Sequence, residues 1–164
     1  MSENGSILKS TNGGSNWFSL NSGTGYSLYT VHFYDSNTGW AAGIGGIILK
    51  TTNGGTNWTS QFYYNSPWLL SVHFIDSQTG WIAGYAGSNE LIIKTINGGI
   101  NWNTQYDIAG NTLRSIFFAD AQTGWAVGYP GKILRTTNGG TDWNLTGNYI
   151  ASNFFKSVFY IDSQ

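Results

Sequence analysis

Two histidines, eight carboxylates and a recurring glycine pair are what this sequence offers for chemistry. His32 and His73 invite a metal or general-base reading, but nothing around them has the tight spacing of a metal site. Glycoside hydrolysis needs two carboxylates facing one bond, roughly 5–10 Å apart, and Glu90 and Asp107 are the one plausible pair. The stretch TTNGGTNW at 51–58 has the glycines and hydroxyls of a phosphate cradle. A phosphate loop needs a helix behind it and a lysine aimed at the phosphate, and neither follows. No G-x-S-x-G elbow is present. With no cysteine there is neither a disulfide nor a thiolate ligand. What these residues can do depends on the elements that hold them, and those elements repeat.

NGG occurs at Asn12, Asn53, Asn97 and Asn138, each followed five residues after the Asn by a tryptophan: Trp17, Trp58, Trp102 and Trp143. The spacings are 41, 44 and 41 residues. Beside it run VHFYDSNTGWAAG at 31–43, VHFIDSQTGWIAG at 72–84 and IFFADAQTGWAVG at 116–128, with a partial copy, VFYIDSQ, at 158–164. A third element lies between them: ILKS at 7–10, ILKT at 48–51, IIKT at 92–95 and ILRT at 133–136. Each unit of about 41 residues thus carries four short strand-like segments, a to d, divided by DSxTG, a glycine-bearing loop and NGG. Four short antiparallel strands per repeat of this length predict an all-β fold of β-propeller blades. A β-helix or other all-β solenoid is the competing fold. The units fall at about 1–20 (strands c and d), 21–62, 63–106, 107–147 and 148–164 (strand a), as one propeller domain.

Composition agrees with strands and turns. The chain has 16% aromatic residues, eight tryptophans, 23 glycines and only 9% charged residues, a mixture that favours strands over helices. Seven cations against eight anions build no basic face for a nucleic-acid partner. No apolar run of about 18 residues is present to span a membrane, and the start, MSENGSILKS, lacks the pattern of a signal peptide.

The [ST]-x-N-G-G-x-[ND]-W segment resembles the Asp-box, or BNR repeat, with Asn where the first Asp often stands. The longer pattern F-x-D-x-x-T-G-W-x-x-G…I-L-K-T-T-N-G-G-x-x-W is similar to repeats of the photosystem II stability/assembly factor family. The resemblance covers nearly the whole chain. It implies a propeller whose boxes lie away from the ligand face, and it implies no particular activity, because such repeats also serve sialidases, xyloglucanases and sortilin-like receptors. A sialidase of this kind would need three arginines on the substrate carboxylate, and only Arg114 and Arg135 exist.

Position in the repeat sorts the remaining residues. Asn12, Gly13 and Trp17, Asn53, Gly54 and Trp58, Asn97, Gly98 and Trp102, and Asn138, Gly139 and Trp143 are expected to be structural. In each box the Asn side chain should accept backbone N–H groups about two residues on, the glycines supplying positive φ. Asp35, Asp76, Asp120 and Asp162 are equivalent and expected to cap the a–b turn, and Asp142 stands where Asn16, Asn57 and Asn101 stand. Lys9, Lys50, Lys94 and Arg135 form a row read as a solvated strand face. His32 and His73 stand where Phe117 and Phe159 stand, which favours a packing role. The b–c loops 44–46, 85–90 and 129–131, and the d–a segments 21–27, 62–68, 105–111 and 147–153, vary between units, and function concentrates in such loops. Their aromatic and acidic residues Tyr63, Tyr64, Trp68, Tyr85, Glu90, Tyr106 and Tyr129 are the candidate ligand contacts.

The reading is of a non-catalytic binding or scaffold module of a secreted, cell-surface or periplasmic protein, with a protein or glycan partner and neither cofactor nor metal. A glycan-binding or glycoside-hydrolase propeller and an assembly factor for a membrane complex are the alternatives. Four boxes and four strand-a copies stand against only three TGWxxG strands. An incomplete ring, finished by more chain or by other copies, is therefore expected.

Overall fold

In the computed structural model, residues 3–146 and 153–161 are described. A short 3₁₀ turn at Glu3–Gly5 precedes strands β1 (Ile7–Lys9) and β2 (Phe18–Leu20), which form a two-stranded sheet. Three four-stranded antiparallel sheets follow, each in the order a, b, c, d. The first contains β3 (Leu28–Phe33), β4 (Gly39–Gly43), β5 (Ile47–Thr51) and β6 (Thr59–Phe62). The second contains β7 (Trp68–Phe74), β8 (Gly80–Ala86), β9 (Asn89–Thr95) and β10 (Asn103–Ala109). The third contains β11 (Thr112–Phe118), β12 (Gly124–Tyr129), β13 (Lys132–Thr136) and β14 (Asn144–Leu145). These are propeller blades, and β3, β7 and β11 are neighbours across blades, forming the inner wall. Residues 153–161 continue that wall, with the Val158 N–H donated to Ser115 Oγ at 3.1 Å.

Each blade repeats the same local chemistry. Asp35 Oδ1 accepts from the N–H groups of Asn37 (2.7 Å) and Thr38 (2.6 Å), and Asp76 and Asp120 do the same in their own a–b turns. These bonds hold the Asp35 and Asp120 carboxyls below the ordinary carboxylate range. Asp162 lies outside the described residues. In the box, the division of labour differs from the simple Asn turn expected from sequence. Thr51 Oγ1 accepts from Gly55 N–H (2.9 Å) and donates to Asn53 Oδ1 (3.0 Å), which in turn accepts from Asn57 N–H (2.9 Å). The threonine that closes strand c therefore takes the near donor, and the asparagine reaches four residues on. Thr95 with Asn97 and Thr136 with Asn138 repeat the arrangement.

Blades are joined by their aromatic residues. The Trp40 ring lies flat on Phe74 of the next blade, centroids 3.5 Å apart, and Trp81 lies on Phe118 at the same distance. Gly80 makes room for this, because a Cβ there would come within 2.5 Å of the Phe74 ring. The Trp40 indole N–H is donated to the carbonyl oxygen of Gly98, and that of Trp81 to Gly139, each at 3.2 Å. A box is thus docked against the blade before it. Gly98 is held at φ +67°, and a Cβ on it would meet the Ser77 carbonyl oxygen at 2.9 Å, so both backbone and space call for glycine.

The lysine row is corrected accordingly. Lys9 Nζ donates to Gly54 O at 2.6 Å and Lys94 Nζ to Gly139 O at 2.8 Å. Lys50 and Lys94 also lie over the Trp40 and Trp81 rings at 5.2 and 5.0 Å, and burial lowers the pKa of both. Lys9, Lys50 and Lys94 are thus inter-blade clamps, which a pattern within one repeat cannot reveal, while Arg135 remains exposed over Trp125 of its own blade.

Thr51→Val removes a buried acceptor and leaves the Gly55 N–H unpaired. It is expected to cost about 1–3 kcal/mol in urea unfolding, whereas Ser10→Ala, at the exposed equivalent, should cost less than Thr51→Val because water replaces the lost bond.

Candidate functional site

The chemistry-bearing residues are mostly taken up by the frame. His32 Nε2 donates to Phe74 O and His73 Nε2 to Phe118 O, each at 3.0 Å; a carbonyl only accepts, so both rings carry the proton on Nε2. The rings follow one another along the inner wall: His32 to His73 at 5.0 Å, His73 to Phe117 at 4.8 Å, Phe117 to Phe159 at 5.0 Å. The histidines pack as the equivalent phenylalanines do and add a bond to the next blade.

Glu90 and Asp107 lie within β9 and β10 rather than in loops. Asp107 stands opposite Leu91 and Ile108 opposite Glu90, so the two carboxylates leave opposite faces of the sheet. Glu90 is 0% exposed and pairs with Lys132 of the following blade at 2.7 Å. It also accepts from the Asn111 N–H (3.3 Å). Glu90, an expected ligand contact, is therefore inaccessible from outside, and Tyr106 packs against the core beside it. Asp107 accepts from Asn89 Nδ2 at 2.8 Å.

Among the expected ligand contacts, the structure brings Trp68 and Tyr85 together. They are register partners at the b–c and d–a end of their blade, stacked at 5.6 Å. Tyr29 of the preceding blade covers the other side of Trp68, also at 5.6 Å. Burial raises the pKa of the Tyr85 phenol, Tyr29 adds to the rise, and Arg114 of the third blade opposes it. Trp68 stays 39% exposed and Arg114 is exposed, so three blades contribute to one aromatic rim with a cation beside it. Tyr129 stacks on Phe154 at 4.1 Å and extends aromatic cover at this end. Tyr63 and Tyr64 fall elsewhere, beside a groove of about 560 Å³ bordered by Trp102. There Tyr63 shares a hydrogen bond with Thr104, and Tyr64 is 85% exposed. The segment 147–152 lies outside the described residues.

Sequence reasoning missed Tyr29 and Arg114. Both sit at a bulge that recurs at Leu28/Thr30, Leu69/Ser71 and Leu113/Ser115. A bulge leaves one residue unpaired and re-aims its neighbours. The next residue in each case, Thr30, Ser71 or Ser115, accepts a backbone N–H from the following inner strand. The unpaired residue is Tyr29, Leu70 or Arg114, and that variation within a fixed strand was the available signal.

Repeated four-stranded blades, the docked Asn-Gly-Gly boxes and a variable aromatic rim define a BNR-type β-propeller. The family model of the photosynthesis system II assembly factor YCF48 matches residues 59–150, more than half of the chain, and the protein belongs to that family. Among solved structures it is similar to YCF48 bound to D1 peptide, with 23% identity and a TM-score of 0.63 over 73% of this chain and 39% of that one. YCF48 from Cyanidioschyzon merolae matches at 22% identity and TM-score 0.61, again over 73% and 39%. An ancestral GH74 enzyme matches at 19% identity and TM-score 0.68, over 87% of this chain and 21% of that one. The chain thus spans about two fifths of the YCF48 structures and about one fifth of the enzyme, and at these identities the likeness is one of fold. No curated protein matches it. Among the described residues no helix is long and apolar enough to cross a membrane.

Burial brings the His73 pKa down to about 4, helped by His32, whose own value burial also lowers. Between that value and the ordinary 6.5 the unfolded chain binds more protons than the folded one, so stability falls as pH drops through this window. A His32→Phe/His73→Phe variant should lose most of the change in urea midpoint between pH 7 and pH 5, where the wild type declines.

Proposed function

We propose that this chain is a non-catalytic binding module that holds a segment of a protein partner on the rim of Tyr29, Trp68, Tyr85 and Arg114. The observation that carries the reading is Trp68, flanked by two tyrosines from two blades and still exposed, in a protein whose other large tryptophans serve the frame. Flat aromatic rings give contact area with little ordering cost, and such residues dominate protein-binding energetics. Arg114 suits a carboxylate of the partner, as an acidic side chain or a chain terminus. Membership of an assembly-factor family supports a protein partner, and the D1 peptide of the solved YCF48 complex is the natural first probe. The absence of a catalytic role is part of the proposal, supported by Glu90 and Asp107 leaving opposite faces of their sheet. So is an extracellular, cell-surface or periplasmic setting, which the cysteine-free, low-charge composition accommodates.

A glycan on the same rim is the second reading, favoured by flat rings with polar neighbours. Anisotropy titration with labelled D1 peptide, run beside a glycan array, separates the two. Trp68→Ala should weaken peptide binding at least tenfold (about 1.4 kcal/mol or more), and Arg114→Ala should weaken it and flatten its salt dependence. Unchanged peptide affinity in Trp68→Ala, or sugar binding alone, would contradict the protein-partner reading.

A further inference from the structure

A cleft of about 390 Å³ opens between β1 and the inner strand β3, lined among others by Leu8, Lys9, Phe33, Gly54 and Trp58. Each of these has counterparts at the two inter-blade joints already described. Phe33 corresponds to Phe74 and Phe118, Gly54 to Gly98 and Gly139, Lys9 to Lys50 and Lys94, and Trp58 to Trp102 and Trp143. At those joints a strand-b tryptophan fills the space: Trp40 and Trp81, both 0% exposed, stack on the phenylalanine and donate to the glycine carbonyl. In the cleft, Phe33 is 40% exposed against 2% for Phe74 and Phe118, and Leu8 is 60% exposed against 0% for Leu49 and Ile93. Among the described residues β1 pairs with β2 alone, whereas β5, β9 and β13 each have a strand on both sides.

We propose that this cleft binds a tryptophan-bearing β-strand of the Thr-Gly-Trp-x-x-Gly kind, from a repeat beyond those in the three four-stranded blades. The strand adds antiparallel to β1 with its tryptophan opposite Lys9, as Trp40 stands opposite Lys50 and Trp81 opposite Lys94. Its ring stacks on Phe33, and its indole N–H is donated to Gly54 O, which already accepts Lys9. The open main-chain edge of β1 supplies the ladder, and the cleft supplies selectivity for the indole. This surface is separate from the Trp68 rim and continues the established inter-blade interface.

The probe is a labelled synthetic peptide of residues 36–46, SNTGWAAGIGG, titrated into the chain by fluorescence anisotropy. Saturable binding is expected, weakened at least tenfold when the peptide tryptophan is replaced by alanine. Phe33→Ser and Leu8→Lys, both at exposed positions, should each weaken it at least tenfold, while Trp68→Ala and Tyr160→Ser, the latter at a ring stacked on Trp125 of the third blade, should leave it unchanged. No saturable binding would overturn the proposal, as would binding indifferent to the peptide tryptophan or to both Phe33 and Leu8.

Discussion

The structure hangs on one contact, the indole N–H of a strand-b tryptophan donated to a glycine carbonyl in the next blade's box. The buried indoles of Trp40 and Trp81 have an acceptor, whereas those of the box tryptophans Trp58, Trp102 and Trp143 have none among the described residues. A box glycine in the positive-φ region turns its carbonyl out of the strand ladder to supply it. The contact also fixes the rest of the joint. With the indole anchored, its ring must lie flat, and Phe74 or Phe118 meets it at 3.5 Å. The lysine opposite the tryptophan is then carried over the ring toward the same box. Boxes that face a preceding blade have buried glycines, while Gly13 and Gly14 of the 12–17 box are exposed and Trp17 is 62% exposed. The motif is therefore half of a joint, and its burial depends on the blade before it.

This division of labour explains why the binding reading rests on so few residues. Residues that recur are consumed at the joints: histidines on carbonyls, aspartates on turns, lysines on boxes. Individuality remains at the opposite end of the strands, where a bulge that recurs in each of the three blades presents a variable side chain. Tyr29 and Arg114 emerge from an otherwise fixed strand, and Trp68 and Tyr85 join them from a b–c and d–a edge. A variable rim carried on a rigid frame is what the proposed peptide site calls for, because side chains fixed by packing need no reordering to meet a ligand.

The blades were legible because Asn-Gly-Gly and Thr-Gly-Trp punctuate the chain at a fixed interval, and turn chemistry places strands between them. The joints were not, because their partners lie 45 or 58 residues apart and a single repeat contains only one side. Lys50 and Lys94 therefore read as solvated, and the acceptor role of Thr51 beside Asn53 was not foreseen. Glu90 looked available because it was an acid outside the repeat. The missed clue was Lys132, a cation where Ile47 and Leu91 stand in the other blades. Of the rim, Trp68 and Tyr85 were visible as loop aromatics, but Tyr29 and Arg114 lie inside a strand, where their variation between repeats was the one signal and the bulge that frees them was not legible.

The most direct test of the central claim is native-state hydrogen exchange of the tryptophan indole protons across a urea series. If the blades are held by these bonds, Trp40 and Trp81 exchange only through global unfolding, with the same urea dependence as the unfolding of the chain. Exposed Trp17 exchanges freely. Fast exchange of Trp40 and Trp81 at a rate insensitive to urea would mean that the joints open locally, and would contradict the account.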